Sequence, residues 1–319
     1  MNHKKVFLND PLKVTVCICT YQRPQIAATL RSIDRSTGIE NCQVDILVAD
    51  NDLEPSAKNL VKSVAGELSM NVRYIHAPSS NISLARNACL NATDGDYVAF
   101  IDDDETASPG WLSNLLLEAR SNASDAVLGP VRAVYGPYAP QWMVNGRFHD
   151  THPVWVRNEI RAGYTCNVLI ALHSPAVKGR RFNLALGRTG GEDTNFFHNV
   201  WKSGGRIGYA PNAWVEEIVP GDRASFRWLR DRRFRFGQTH ADIAGERKGR
   251  IRLVMQIMLA SAKAAYSFIV AFIMAFSPVR RNKWLLRAIM HAGVVSRLAG
   301  MRTLESYGAP GRGDECNAS

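Results

Sequence analysis

The sequence lacks the features by which several large protein classes are recognised. Neither of the common phosphate-binding loops, GxGxxG or GxxxxGK[ST], occurs in it. Its six cysteines are scattered, and although Cys17 and Cys19 share one face of a strand, no second pair completes a zinc site. No long apolar stretch precedes residue 9, so no secretory signal is expected. These absences disfavour dinucleotide-binding folds, P-loop enzymes and zinc proteins, and they favour reduced thiols in a cytosolic compartment.

Acidic residues are scarce in one part of the chain. Between Arg223 and Arg302, 17 Lys and Arg residues accompany only three acids. The net charge of the 319 residues is +10, so the remainder of the chain is slightly acidic. A basic segment attached to a neutral-to-acidic body indicates an anionic partner, for which nucleic acid and a membrane surface are both candidates.

Hydrophobic patterning in the first hundred residues alternates between strand and helix. Strands are expected at 14–21, 44–49, 72–75 and 97–101. Helices are expected at 25–33, at 55–69, and after a capping run at 79–81. This alternation predicts an α/β fold with a mostly parallel central sheet flanked by helices.

Four consecutive acids, Asp102 to Glu105, follow the apolar strand at 97–101. Adjacent carboxylates repel one another unless a cation is present, so the run suggests a hard divalent ion, Mg2+ or Mn2+. A solvated acidic turn is the alternative. Polar groups also follow the earlier strands, Thr20, Tyr21 and Arg23 after the first and Asp50 after the second. A crevice at the carboxyl ends of parallel strands would bring these groups together, although Asp50 could equally cap a helix.

Three later segments carry further candidates. Gly190 and Gly191 allow a close backbone approach, and Glu192 and Asp193 open a helix, either as acids that stabilise its dipole or with one of them as a general base. Arginines on the basic helix that begins near 223 could bind phosphate or form a solvated face. The aromatic passage at 138–155 is expected to be a binding loop or lid, or a loop packed by Trp142, Phe148 and Trp155.

Residues 253–279 contain a single charge, Lys263, and are long enough to cross a membrane. Polar residues Arg252, Gln256, Lys263 and Ser267 nevertheless form one stripe, and both flanks are basic. This pattern favours helices that lie in the membrane interface, with a soluble helical cap as the alternative.

Several motifs in combination resemble family 2 glycosyltransferases with the GT-A fold. They stand at residues 16–24 (VCICTYQRP), 48–51 (VADN), 85–87 (ARN), 100–105 (FIDDDE) and 190–193 (GGED). Stretches at 80–87, 128–132, 163–167 and 237–240 are similar to exopolysaccharide β-glucosyltransferases of the succinoglycan type. The similarity runs from about residue 12 to about residue 309.

The resemblance implies a role for each matching residue. Those expected to contact the nucleotide sugar are Thr20, Tyr21, Arg23, Asp50, Arg86, Asp102 and Asp103. Asp104 would touch Mg2+ or Mn2+, and Asp193, beside Glu192, would be the catalytic base. Residues expected near the diphosphate or acceptor are Gly190, Gly191, Arg232, Arg233 and Arg235. It stays open whether Glu216 or Glu217 approaches the metal.

The activity implied is inverting transfer of a hexose, glucose from UDP-glucose, to a polyprenyl-diphosphate-linked oligosaccharide. Residues 1–222 would form the catalytic domain, 223–307 a basic helical extension in contact with the membrane, and 308–319 a disordered tail. The protein would be peripheral, on the cytoplasmic face of the bacterial inner membrane, and would not bind nucleic acid. The alternatives are a sugar-nucleotide pyrophosphorylase, disfavoured by the missing glycine-rich loop, and a non-catalytic nucleic-acid binder, for which no motif accompanies the charge.

Overall fold

The structure, a computed structural model, describes residues 11–245 and 249–302. The described strands are β1 Leu12–Thr20, β2 Cys42–Asp50, β3 Asn71–His76, β4 Tyr97–Ile101, β5 Glu105–Ala107, β6 Ala126–Leu128, β7 Val131–Tyr135, β8 Trp155–Val156, β9 Glu159–Ile160, β10 Asn167–Ala171, β11 Ile207–Tyr209 and β12 Val215–Val219. The helices are α1 Ile26–Asp34, α2 Lys58–Ala65, α3 Ile82–Asn91, α4 Trp111–Ser121, α5 Gln141–Gly146, α6 Glu192–Lys202, α7 Phe226–Gly245, α8 Arg250–Ile273 and α9 Pro278–Leu298. The predicted tail at 308–319 and the predicted absence of a signal before residue 9 lie outside the described residues.

A seven-stranded sheet with the order β11-β6-β10-β4-β1-β2-β3 forms the centre of the fold. All its neighbouring strands are parallel except β10, which is antiparallel to both β4 and β6. The predicted mostly parallel sheet is therefore confirmed, together with the four strands and three helices expected at its start. Strands β5, β12 and β7 form a second sheet in that order.

Strand register brings the polar strand ends to one edge of the sheet. Thr20 pairs with Asp50 across β1 and β2. Cys17 pairs with Phe100 across β1 and β4, so three residues further on Thr20 comes opposite Asp103. Ligand sites of open parallel sheets lie at this edge.

Alternate residues of the central strands pack into cores on opposite faces of the sheet. Val16 and Ile18 point into one cluster with Leu112 of α4, while Cys17 and Phe100 point into the other. Both faces are dry, which explains why these strands read as continuous apolar runs. Helix α2 is shorter than predicted, because the chain enters it through a turn at 55–57 and leaves it at Gly66.

The chain is organised as two compact units whose segments alternate along the sequence. The first comprises Met1–Val131, His152–Phe182 and Phe196–Glu216, and the second comprises Arg132–Thr151, Asn183–Asn195 and Glu217–Ser319. The functional division at residue 222 stays a prediction.

The second unit is built around a close crossing of α7 and α9. A Cβ on Gly237 would lie 1.9 Å from the carbonyl oxygen of Met290, and one on Gly293 would lie 2.1 Å from that of Phe234. Only glycine permits backbones to approach this closely. In the passage at 138–155, Met143 and Phe148 are buried in the same unit, in keeping with a packed loop at α5. Trp155 is exposed and does not pack as that alternative expects.

Helix α8 packs on α9 through small buried residues, Ala260, Ser267 and Ala271. Only 11% of its most apolar 18-residue window is buried. Among the described residues it is the one helix long and apolar enough to cross a membrane. The polar stripe predicted on this helix therefore turns partly inward, at Ser267, while large apolar side chains are exposed.

Candidate active site

Thr20 and Asp103 form the centre of the site at the strand ends. The Thr20 hydroxyl donates to Oδ2 of Asp103 over 2.7 Å, and the Thr29 hydroxyl donates to the Asp103 carbonyl oxygen over 3.0 Å. The pKa of Asp103 is raised to about 6, chiefly by burial and also by the charge of Asp104, while the Thr20 hydrogen bond opposes the shift. A buried carboxylate beside a second one is stabilised by any cation that binds there.

Arg23 lies beside this pair and is ion-paired with Asp104. The two side chains are brought together from positions 81 residues apart. Gln22, just before Arg23, has a left-handed backbone with φ of 53° and donates to Oδ2 of Asp52 over 3.0 Å. Tyr21 is half exposed at the same strand end. The turn after β1 therefore holds one cation against the acidic run and leaves one aromatic ring half exposed at the strand end.

Asp50 is fully buried, and its carboxylate is engaged by groups of the protein. Oδ2 accepts from the Ala57 backbone N–H over 2.9 Å and from the Tyr74 hydroxyl over 2.7 Å, and Oδ1 accepts from the Asp52 N–H over 3.1 Å. Burial and this carboxylate raise the pKa of Tyr74. The arrangement shapes the loop after β2, in keeping with the capping alternative, while the expected contact of Asp50 with the nucleotide stays a prediction.

The acidic run offers a second group of ligand atoms. One atom each from Asp102, Glu105 and Cys166 lie within 4.8 Å of one another, and Oε2 of Glu105 also accepts from the Asp102 N–H over 3.0 Å. Carboxylate oxygens suit a hard divalent cation, and a thiolate is a softer ligand. Together with the raised pKa of Asp103, this donor set fits a divalent metal, and Asp102 to Glu105 are the residues that would hold it.

Arg86, expected near the nucleotide, lies on α3 and is buried, with its guanidinium 5.6 Å from the centre of the Phe182 ring. The next residue, Asn87, holds the Phe182 backbone by two hydrogen bonds, of 2.9 and 2.7 Å. Asn81 caps the helix through its side-chain oxygen, as predicted. The position of Arg86 is thus fixed by a capped helix on one side and an aromatic ring on the other.

In the second unit, Gly190 and Gly191 have φ of 85° and 91°. The Gly191 carbonyl accepts the first hydrogen bond of α6, from the Asn195 N–H. Glu192 is buried, whereas Asp193 is half exposed and accepts from the Thr194 N–H over 2.6 Å. Of the two acids that open α6, Asp193 is the one that solvent can reach.

Arginines and aromatic rings alternate along α7. The Arg232 guanidinium lies 5.0 Å from the Trp228 ring and 5.3 Å from the Phe236 ring, and that of Arg233 lies 5.9 Å from Phe236. Burial and the charge of Arg232 lower the pKa of Arg233. Arg235 lies one residue before Phe236 on the same helix. Two adjacent, partly buried cations repel each other, and an anion would relieve that repulsion.

Glu217 is ion-paired with Arg223 over 3.1 Å, and Glu216 is exposed. Whether either of them approaches a metal stays open.

The polar side chains that follow β1, β2 and β4 are called the strand-end cluster below. Sequence reasoning missed several of its residues. Gln22, Asn51 and Asp52 form hydrogen bonds there, and Oδ1 of Asn51 accepts from the Ser79 hydroxyl and the Asn81 N–H. Their positions directly after strands were a usable signal. No sequence pattern linked Cys166 to the acidic run, because it lies more than sixty residues from Asp102.

The family model for glycosyl transferase family 2 matches residues 15–181, and the chain belongs to this family. It is 49% identical over 301 residues to the succinoglycan biosynthesis protein ExoM of Rhizobium meliloti, covering 94% of this chain and 97% of the relative.

Solved structures share the GT-A fold at low sequence identity. The mannosyltransferase PcManGT from Pyrobaculum calidifontis, in complex with GDP-Man and Mn2+, matches with a TM-score of 0.61 and 17% identity over 91% of this chain and 88% of that one. TarS 1–349 from S. aureus, in complex with UDP-GlcNAc, matches with a TM-score of 0.52 and 16% identity over 91% and 93%. These likenesses confirm the predicted fold class.

Proposed function

We propose that this protein is an inverting transferase of bacterial exopolysaccharide synthesis. It moves glucose from UDP-glucose to a hydroxyl of a polyprenyl-diphosphate-linked oligosaccharide. The observation that carries the proposal is the strand-end cluster of Thr20, Arg23 and Asp103 in a chain 49% identical, over nearly its full length, to a succinoglycan biosynthesis protein.

The donor would bind across the carboxyl ends of β1, β2 and β4. Tyr21 is exposed enough to contact a base, and Arg23 and Arg86 supply positive charge for the phosphates. Asp102 and Asp103 would contact the nucleotide sugar. Because Arg23 is already paired with Asp104, donor binding would exchange part of that pair for contacts to phosphate.

A divalent cation, Mg2+ or Mn2+, held by Asp104 with its acidic neighbours, would neutralise the charge of the departing nucleoside diphosphate without a proton transfer. Arg232, Arg233 and Arg235 would bind the diphosphate of donor or acceptor. Arg232 and Arg233 are partly buried beside aromatic rings, which makes them strong anion ligands, since burial strengthens the interaction of unlike charges.

Asp193 would be the general base. Oδ1 of Asp193 accepts from the Thr194 N–H and hydroxyl, and the half-exposed carboxylate can accept the proton of an acceptor hydroxyl while the acceptor oxygen attacks C1 of the sugar. Attack opposite the departing diphosphate inverts the configuration at C1. The buried Glu192 beside it would support the turn made by Gly190 and Gly191.

The acceptor implied by this activity is tethered in a membrane, and α8 has the composition to meet one. Its exposed apolar side chains are flanked by Arg250 and Arg252 at one end and by Arg280 and Arg281 beyond the other. We infer a peripheral position on the cytoplasmic face, with α8 in the interface. Family membership favours transfer over the pyrophosphorylase and nucleic-acid alternatives.

The test is a pair of matched substitutions in one helix turn. Asp193→Asn should lower kcat by about 100-fold or more, within the range for loss of a general base, while UDP binding stays unchanged. The matched control, Glu192→Gln, removes the neighbouring charge while keeping the shape of the side chain, and it should lower kcat much less. Rates are measured as UDP release from UDP-glucose in the presence of acceptor, with UDP affinity by calorimetry. If Glu192→Gln is the crippling change, the assignment of the base is wrong.

A further inference from the structure

A layer of basic side chains lies between α7, α8 and α9. It consists of His240 on α7, Lys263 on α8, and Arg287 and His291 on α9, and is called the basic layer below. The first three of these side chains are exposed, and His291 is half buried behind them. None of the four belongs to the site described above.

Helix packing places these residues at one level. Ala241, Ala260 and Val294, one from each helix, form a small shared cluster. The rings of Tyr266 and Trp284 meet 5.9 Å apart. Lys263 lies between these two contacts on α8, so it faces the part of α9 that carries Arg287 and His291.

The crossing of α7 and α9 brings His240 to the same level. Gly237 meets Met290 and Val294, and further along α7 Ala241 shares a cluster with Val294 and Asp242 pairs with Arg297. The two helices therefore run in the same direction there, and His240 lies beside the part of α9 that contains His291. Burial lowers the pKa of His291 most, and the charges of Lys263, Arg287 and His240 lower it further. All three side chains therefore lie near His291. Although the His240 side chain is partly exposed, desolvation by the surrounding helices and the charge of Lys263 lower its pKa as well.

Among the described residues of the three helices, no unpaired acid offsets this charge. Residues 249–302 contain neither Asp nor Glu. The described acids of α7 are already paired, Asp231 with Arg230 over 2.8 Å and Asp242 with Arg297 over 2.5 Å. Mutually repelling cations at the surface of an apolar helix pair favour an anionic ligand.

The neighbouring surface of α8 indicates where that anion comes from. Met258, Leu259 and Phe268 are each more than half exposed and lie within one and a half turns of Lys263. Apolar side chains in the interface with a cation beside them match the two parts of an anionic lipid, its chains and its phosphate.

We propose that the basic layer binds the phosphate of an anionic membrane lipid while the outer face of α8 lies in the interface. Lys263, Arg287 and His240 make the contacts, and His291 adds positive charge from behind when it is protonated. The inference rests on the membrane association in the proposed function and adds a particular site to it.

The experiment is flotation of the full-length protein with vesicles of phosphatidylcholine, with and without phosphatidylglycerol. Lys263→Gln/Arg287→Gln should weaken binding to the anionic vesicles by about 30-fold, the equivalent of ~1 kcal/mol for each basic residue near the surface. Lys178→Gln/Arg206→Gln removes the same charge from exposed positions of the first unit and should change binding less than twofold. Lys263→Arg should keep wild-type binding, and circular dichroism checks that each variant folds.

The pH dependence of vesicle binding is a second, independent test. A bound phosphate raises the lowered pKa values of His240 and His291, so wild-type binding should strengthen several-fold from pH 7.5 to pH 5.5. The phosphodiester of phosphatidylglycerol stays ionised throughout. His240→Gln/His291→Gln should flatten this dependence.

The outcomes separate the two proposals. Equal binding of the Lys263/Arg287 variant and the wild type overturns the basic layer and leaves membrane association in place. No binding of the wild type to anionic vesicles overturns both, without bearing on UDP release. If inorganic phosphate protects α8 and α9 from hydrogen exchange as fully as vesicles do at matched ionic strength, the ligand is free phosphate and the lipid assignment is wrong.

Discussion

His149 should make the second unit sensitive to mild acid. Its ring is buried, is stacked on Trp228 with centroids 5.1 Å apart, and is hydrogen-bonded at both nitrogens. Nε2–H donates to the Arg223 carbonyl over 3.1 Å, and Nδ1 accepts from the Tyr135 hydroxyl over 3.1 Å. That hydroxyl also accepts from the His149 backbone N–H. The surroundings therefore fit the neutral ring and oppose a second ring proton.

The magnitude follows from the pKa of His149. This pKa is lowered from 6.5 to about 4, chiefly by burial; the hydrogen bond to the Arg223 carbonyl opposes the shift, and the charges of Arg232 and Arg223 add to it. The unfolded chain takes up the proton as pH falls below 6.5, whereas the folded chain resists until about 4. Stability is therefore present above 6.5 and is lost as pH falls toward 4. The loss is ~3 kcal/mol, at 1.36 kcal/mol for each pH unit.

The assay is the free energy of unfolding from pH 7.5 to pH 4, followed by hydrogen exchange of peptides within 132–151 and 223–242. His149→Gln cannot titrate, so its curve should lack the ~3 kcal/mol fall in this window even if it starts lower at neutral pH. His173→Gln, at a side chain that is 73% exposed, should follow the wild type. Parallel curves for the wild type and His149→Gln would refute the reasoning.

Two further predictions concern the metal and the helix crossing. EDTA should abolish transfer, and Mg2+ or Mn2+ should restore it. Asp104→Asn should remain inactive with metal, while its melting temperature stays within a few degrees of the wild type. Full activity in EDTA would contradict the metal assignment. Gly237→Ala should destabilise the second unit by roughly 1–3 kcal/mol or more, because a Cβ 1.9 Å from the Met290 carbonyl oxygen outweighs the ~1 kcal/mol gain in helix propensity. Gly221→Ala, whose Cβ would have 3.8 Å to its nearest neighbour, should be close to neutral in the same thermal unfolding experiment.

Local signals were sufficient to predict the sheet and the place of its site. The first four strands are buried on both faces, so each stands out as a short apolar run, and parallel pairing then aligns their carboxyl ends. Thr20 and Asp103 could be expected to meet on that basis alone. The three donors that surround Asp50 were not predictable, because Tyr74 and Ala57 reach it from elements whose spacing depends on the loop between them.

Contacts between distant segments carried no local signal. Tyr135, His149 and Trp228 come together from positions spread over more than ninety residues, and no periodic pattern links them. Cys166 read as an ordinary buried thiol, since its place beside Asp102 and Glu105 depends on β10 pairing antiparallel with β4. Such sites follow from topology, which strand and helix patterns leave open.

The orientation of α8 shows how an amphipathic pattern can be correct and still ambiguous. A polar stripe can face solvent while the apolar side packs on the protein, or it can face a neighbouring helix while the apolar side is exposed. The small residues decide between these arrangements. Ala260, Ser267 and Ala271 lie on one side at spacings of seven and four, and they are the residues buried on this helix. Small side chains permit close helix packing, so they mark the protein side and leave Ile251 and Phe272, 81% and 79% exposed, pointing outward. A soluble cap would bury those large side chains instead, and their exposure is the observation that supports the proposed lipid surface as the partner of α8.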